Sequence, residues 1–282
     1  MDTPGTDKFL SLDHVDLHYI DYGGDSGHTI ILIHGGGAHA NWYDWLGPLL
    51  AHKFHVLSID LRGHGDSRPR EPASYDYDSY LDDIRAVLRK ESVTKPVLLG
   101  HSMGGMLVVK YAGTYTDGIS ALIVCDALLS YDKDTINRLH GVGSRTGRGY
   151  DSLDEYVDSF RFRPDGGFIM PEVHDHIARK SGRKLLNGKW AHKIDRRTYA
   201  CREEIDTLPY WGKITCPTLF IRPEHGTRFR TFFMDTIKSV CNVDVEFKTV
   251  TSSDHHFIIE QPLQTADFVL DFLQRNVIED VI

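Results

Sequence analysis

Short uncharged apolar runs alternate along this chain with stretches in which apolar residues recur every three or four positions. Residues 29–33 (Thr-Ile-Ile-Leu-Ile), 54–59, 96–99, 119–125 and 216–221 are runs of the first kind. Such runs suit strands buried on both faces. Residues 9–22 alternate more loosely and predict two short strands with a turn near Asp13-His14. Residues 243–250 alternate apolar with charged residues and predict a strand close to a sheet edge. The second kind of stretch predicts helices. Residues 41–50 carry Trp42, Trp45, Leu46 and Leu49 on one face, and residues 77–90 carry Tyr80, Leu81, Ile84, Val87 and Leu88. Residues 229–238 and 262–276 continue the series, the last with a broad face that includes Ala266, Val269 and Leu273.

Strands that alternate with helices imply a doubly wound, mostly parallel sheet with helices on both faces. The rhythm breaks over residues 130–212. Charge rises there, and glycines cluster at Gly141-Val142-Gly143, Gly147-Arg148-Gly149 and Gly166-Gly167. No strand-like run survives, and short helices near 151–160 and 173–180 are predicted. The expected organisation is a core made of residues 1–129 and 213–282, interrupted by a helical insertion over 130–212.

The most informative junction is Pro96-Val97-Leu98-Leu99-Gly100-His101-Ser102-Met103-Gly104-Gly105, where a strand-like run meets a helix-like one. It contains Gly-x-Ser-x-Gly, the pattern of a nucleophile elbow. A strand that turns at once into a helix strains its central residue, so its neighbours must lack side chains. The serine oxygen is then lifted clear of the sheet, at the positive end of a helix. A second glycine-rich loop, His34-Gly35-Gly36-Gly37, follows the 29–33 strand. His34, Asp60, Ser102, Asp126, Glu224 and His255 all stand just after predicted strands. The carboxyl ends of parallel strands are where sites gather in such sheets.

Composition narrows the function classes. The chain has 282 residues and a formal net charge of −8, which argues against nucleic acid as a partner. It leaves the charge of a substrate open, because a pocket can differ from the surface. Cys125, Cys201, Cys216 and Cys241 are far apart and form no Cys-x-x-Cys, so free thiols in a reducing, cytoplasmic compartment are expected. No signal peptide is visible at the N-terminus, and no apolar run approaches the ~18 residues that a membrane span needs. Among the 16 histidines, His174-x-His176 and His255-His256 lack partners at a metal-ligand spacing. The first pair is expected at the surface, and neither a metal nor a cofactor is expected.

Together, His34-Gly35-Gly36-Gly37, the segment from Asp60 to Ser67 (Asp-Leu-Arg-Gly-His-Gly-Asp-Ser), Gly100-His101-Ser102-Met103-Gly104-Gly105, and His255 followed by Glu260-Gln261-Pro262 resemble the α/β-hydrolase superfamily. The likeness covers nearly the whole chain and is to the serine-nucleophile kind with a helical cap inserted after the sixth strand. It implies an α/β fold with an eight-stranded, mostly parallel sheet. It also implies that Ser102 is the nucleophile and that the base lies in the loop after the last strand. Counting back from Glu260-Gln261-Pro262 selects His255 over His256, which is left to pack or cap. The family's usual acid follows the seventh strand, where this chain has Gly226 or Thr227 instead. Asp126, at the end of the sixth strand, is the favoured acid and Glu224 the alternative; Asp254 reads as a turn residue. The resemblance further implies an oxyanion hole formed by backbone N–H groups of Met103 and Gly36, with Gly37 as the other choice. His34 then orders its loop, and the segment from Asp60 to Ser67 packs beneath the site. His39, Trp42, His101, Tyr131, Phe160, Phe162 and Trp190 are candidates to line a pocket.

These expectations describe a serine hydrolase of the carboxylesterase or lactonase kind, acting on a small-molecule ester or lactone as a monomer or homodimer. A carboxylate at the elbow would have indicated a dehalogenase or an epoxide hydrolase, and Ser102 stands there instead. Carbon–carbon bond hydrolysis is the enzymatic alternative; relatives with that activity often carry Asn before the serine, where this chain has His101. A hydrolase-fold receptor or signalling module with little turnover is the alternative of another class.

Overall fold

In the computed structural model, residues 5–24, 27–226 and 231–278 are described. The main strands are β1 (Thr6–Ser11), β2 (Val15–Asp21), β3 (Thr29–Ile33), β4 (His55–Ile59), β5 (Val97–His101), β6 (Ala121–Cys125), β7 (Thr218–Pro223) and β8 (Val245–Val250). They lie side by side in the order β1-β2-β4-β3-β5-β6-β7-β8. Pairing is antiparallel at β1·β2 and β2·β4 and parallel from β4 to β8. A two-residue strand, Arg68–Pro69, pairs with β2 and makes the sheet nine-stranded rather than eight-stranded. Two residues are too few to carry a readable alternation, so this strand leaves no signal in the sequence.

Alternation along the strands supplies two cores. Ile31 and Ile33 of β3, Leu98 of β5 and Phe220 of β7 face the helices Tyr77–Lys90 and Met103–Thr114 on one side. Ile30, Leu32, Leu99, Leu219 and Ile221 face helix Pro262–Asn276 and the 40–51 region on the other. Because both faces are covered, β3, β5 and β6 are apolar at nearly every position, whereas β8 at the sheet edge alternates with Glu246 and Lys248. Helix Tyr77–Lys90 starts at Asp76, whose side chain accepts the Ser79 N–H, and it ends on Arg89 and Lys90, where cations complement the helix dipole.

Other departures from the sequence reading have physical causes. Residues 41–50 form a 3₁₀ turn, Ala40–Tyr43, and a separate helix, Gly47–Ala51. Pro48 fits the first turn of a helix but would break the interior of a longer one. Between β6 and β7 there are helices Lys133–Gly143, Leu153–Ser159 and Pro171–Ser181. That segment also holds short strands: Gly182–Lys184 pairs with Trp190–His192, and Ser130–Tyr131 with Ile205–Asp206. The sequence reading passes over helix Lys133–Gly143, although Ile136, Leu139 and Val142 recur every three positions along it; Ile136 is its one buried residue. His174 and His176 are half-buried rather than at the surface. The His174 ring is bonded to the Phe160 carbonyl, and that of His176 to Asp44 at 2.7 Å. The four cysteines are free thiols. No helix among the described residues is long and apolar enough to cross a membrane.

Candidate active site

The carboxyl ends of β3, β5 and β6 converge on Ser102. Ser102 follows β5 directly and precedes helix Met103–Thr114, with φ 55° and ψ −118°. A non-glycine residue seldom occupies this region, and backbone strain of that kind concentrates at functional sites. Two anchors hold it: the Ser102 N–H donates to the Cys125 carbonyl at 2.9 Å, and its own carbonyl accepts from Met106. The glycines around it are required by close approach. A Cβ on Gly104 would lie 2.6 Å from the His34 carbonyl oxygen, and one on Gly105 would lie 2.6 Å from the Ala127 side chain.

Asp126 and His255 meet although 129 positions of sequence separate them. Asp126 caps β6 with φ 42°, and its N–H donates to the Ile221 carbonyl. Its carboxylate is buried, with Oδ2 2.6 Å from Nδ1 of His255. The contact fixes the tautomer: Nδ1 carries the proton it donates to Asp126, which leaves Nε2 as the basic nitrogen. Glu224, the alternative acid, is elsewhere. It is exposed and accepts the Ser252 N–H at 2.7 Å. Gly226 adjoins the pair; a Cβ built there would lie 3.8 Å from Asp126 Oδ2. Thr227 lies outside the described residues.

The flanking histidines have distinct duties. The His101 ring lies 4.7 Å from that of His255 and donates from Nε2 to the His255 carbonyl at 2.7 Å. Burial, with the neighbouring His255 and His256, holds the His101 pKa well below the ordinary value, so it is a neutral tether between the elbow and the loop after β8. His256 bonds to the Pro164 carbonyl at 3.0 Å and stacks edge-on against Trp42. His34 bonds from Nδ1 to the Gly35 carbonyl and accepts the Leu61 N–H at Nε2. Asp60 receives the Ala40 N–H on one oxygen and His18 and the Asp66 N–H on the other, which ties the loops after β3 and β4 together. Asp254 accepts the Gly167 N–H, and its own N–H donates to Glu260.

Ser102, His255, Gly36 and Met103 open onto one cavity of about 520 Å³. A Cβ on Gly36 would lie 3.6 Å from Met103 Sδ, so the two oxyanion-hole candidates are neighbours. Trp42, His101 and Tyr131 also line this cavity, whereas His39, Phe160, Phe162 and Trp190 do not. Phe160 and Phe162 pack against each other and against the His174 ring instead, and His39 bonds to Ser181. Sequence reasoning missed Tyr199, Arg145, Arg163 and Arg202, which line the cavity from residues 126–217. Nothing in the sequence marks them, because an arginine among polar residues reads as solvent-exposed. Three histidines, His101, His255 and His256, come close enough to share an ion. Two of the three are already committed through a ring nitrogen to a carbonyl and the third to Asp126.

A strained serine at the carboxyl end of a parallel sheet, beside a buried histidine–carboxylate pair, defines a site of the serine-hydrolase class. The model of the α/β hydrolase fold family matches residues 28–171, and the chain belongs to that family: it is an α/β-hydrolase. It is 26% identical over 276 residues to a probable serine hydrolase of Drosophila melanogaster, covering 90% of this chain and 83% of the relative. It is 28% identical over 223 residues to N-formylmaleamate deformylase of Pseudomonas putida, covering 77% and 78%. Its fold matches the crystal structure of E-2-(acetamidomethylene)succinate hydrolase with a TM-score of 0.82 at 18% identity, covering 96% of this chain and 99% of the other.

Proposed function

We propose that this hydrolase cleaves a carboxylic ester, or a lactone, through an acyl-enzyme on Ser102. The observation that carries the reading is the 2.6 Å contact between Asp126 Oδ2 and Nδ1 of His255, which lines the same cavity as Ser102. A free hydroxyl is a weak nucleophile and needs a base within reach. His255 Nε2 takes the Ser102 proton as Oγ bonds to the carbonyl carbon. Asp126 offsets the charge that develops on the imidazole. The carbonyl oxygen becomes an oxyanion and is met by the N–H groups of Gly36 and Met103. Collapse of the tetrahedral species breaks the bond to the leaving oxygen, which departs with the proton from His255. Water, deprotonated by the same imidazole, then attacks the acyl-enzyme and releases the acid and the free serine. Residues 130–212 act as the cap that keeps bulk water from the acylating bond. The N-formylmaleamate deformylase relative supports small acyl compounds as the substrate range, since the likeness spans about three quarters of both chains.

The test is turnover of short esters, lactones and vinylogous diketones by the purified protein and by Ser102→Ala. Ser102-dependent hydrolysis of esters or lactones supports the proposal. Cleavage of the diketone alone would move the chemistry to carbon–carbon bonds, and Ser102→Ala retaining full ester turnover would remove the nucleophile.

A further inference from the structure

The chain carries a net charge of −8, yet Arg145, Arg163 and Arg202 line the cavity and no aspartate or glutamate does. Two of the arginines are unremarkable. Arg163 is paired with Asp165, and Arg145 is exposed. Arg202 is different. It is 3% exposed, and no carboxylate pairs with it among the described residues. Its Nε is buried with no hydrogen-bond partner, and its Nη1 donates to Met103 Sδ, a weak acceptor. The Tyr77 hydroxyl is in hydrogen-bonding reach of the guanidinium, and the ring faces of Tyr80 and Tyr77 lie 5.8 and 6.0 Å from its carbon. Those rings return only part of what burying a cation costs. A buried guanidinium with spare donors, on the wall of the cavity that contains Ser102, is suited to receive an anion, and its planar fork matches a carboxylate in a bidentate pair.

We propose that Arg202 binds a carboxylate carried by the acyl part of the substrate, so that the natural ester is a half-ester of a short dicarboxylic acid. The inference rests on the acyl-enzyme reading above. The spacer is short because Arg202 touches the side chain of Met103, the residue next to the nucleophile. The substrate's charge then pairs with the one buried cation of the cavity, the thioether contact gives way, and the scissile carbonyl is oriented by an interaction remote from it. Arg202 is thus a residue of specificity, and Arg145 and Arg163 at the cavity wall favour the approach of the same charge.

The experiment compares monoethyl succinate with ethyl butyrate, in which a methyl group replaces the carboxylate, and measures binding of succinate by calorimetry. The wild-type protein is expected to favour monoethyl succinate by at least about tenfold in kcat/KM. Arg202→Gln should lower kcat/KM for monoethyl succinate by roughly 100-fold, mainly through KM, and abolish the preference. Arg202→Lys should keep part of the preference, because charge survives while the fork is lost. Succinate should bind the wild-type protein and Ser102→Ala but not Arg202→Gln. Equal loss on both esters in Arg202→Gln, or a wild-type protein that prefers ethyl butyrate and does not bind succinate, would overturn the proposal. The last result with Ser102-dependent hydrolysis intact removes Arg202's role and leaves the serine hydrolase reading standing. Arg202-dependent succinate binding without turnover of either ester does the reverse.

Discussion

His255 Nδ1 and Asp126 Oδ2 lie 2.6 Å apart across 129 residues of sequence. The contact is possible because β6, β7 and β8 pair in parallel in that order, so that Asp126 at the end of β6 and the loop after β8 come to the same edge of the sheet. Asp126→Asn is expected to lower kcat roughly 100- to 10,000-fold, since the amide no longer holds the imidazole in the productive tautomer. The midpoint of thermal unfolding should move by only a few degrees. Glu224→Gln, on an exposed side chain, should stay within about twofold of the wild-type rate. Steady-state kinetics on both variants, with circular dichroism as the folding control, check this ranking.

A pH effect on stability should arise next to the base. Burial, reinforced by the charge of Asp254, pushes the Glu260 carboxyl up to about 7. For an acid whose folded value is raised, the stabilisation is complete below its unfolded value near 4.5 and is lost as pH rises through about 7. The wild-type protein should therefore lose on the order of 1 kcal/mol relative to Glu260→Gln between pH 5 and pH 8, a figure reduced because the side chain is partly in water. Urea unfolding at both pH values measures the difference, and Glu260→Gln should show its advantage only at the higher pH.

The elbow's packing gives a stability test. Gly104→Ala would push a methyl group against the Ile33 and His34 carbonyls, both backbone, and should cost about 1–3 kcal/mol. Gly118→Ala, whose Cβ would meet nothing within 4 Å, should stay within about 0.5 kcal/mol. Denaturant midpoints of the two variants make the comparison.

The buried pair Arg62–Asp83 is bidentate, with Nε and Nη2 each 2.7 Å from a carboxylate oxygen. Asp83→Ala leaves the guanidinium without its counter-charge and should destabilise the protein by about 3–5 kcal/mol. The loss is read from urea unfolding.

The succession of strands and helices was legible because each central parallel strand is a run without charge and most covering helices show their period. Ser102 was legible because the elbow's geometry demands glycines at fixed places. The resemblance favoured Asp126 over Glu224 but left both open, because both follow strands and sequence says nothing of where a side chain points. The structure separates them: one carboxylate is buried against His255 and the other is exposed on a turn. Arg202 was invisible for a related reason. Its burial depends on Tyr77 and Tyr80, more than 120 positions away, and no local pattern records that contact. The short strands between β6 and β7 were missed because two or three residues are too few to show a period; helix Lys133–Gly143 was missed although Ile136, Leu139 and Val142 recur every three positions along it.

The most direct measurement is the site of covalent labelling during turnover. Protein mixed with p-nitrophenyl acetate, quenched in acid within the first turnovers and digested, should carry one acetyl group, on the peptide containing Ser102. Ser102→Ala should carry none and release no p-nitrophenol above background. An acetyl group on a different residue, together with unchanged turnover in Ser102→Ala, would contradict a serine activated by His255 and Asp126.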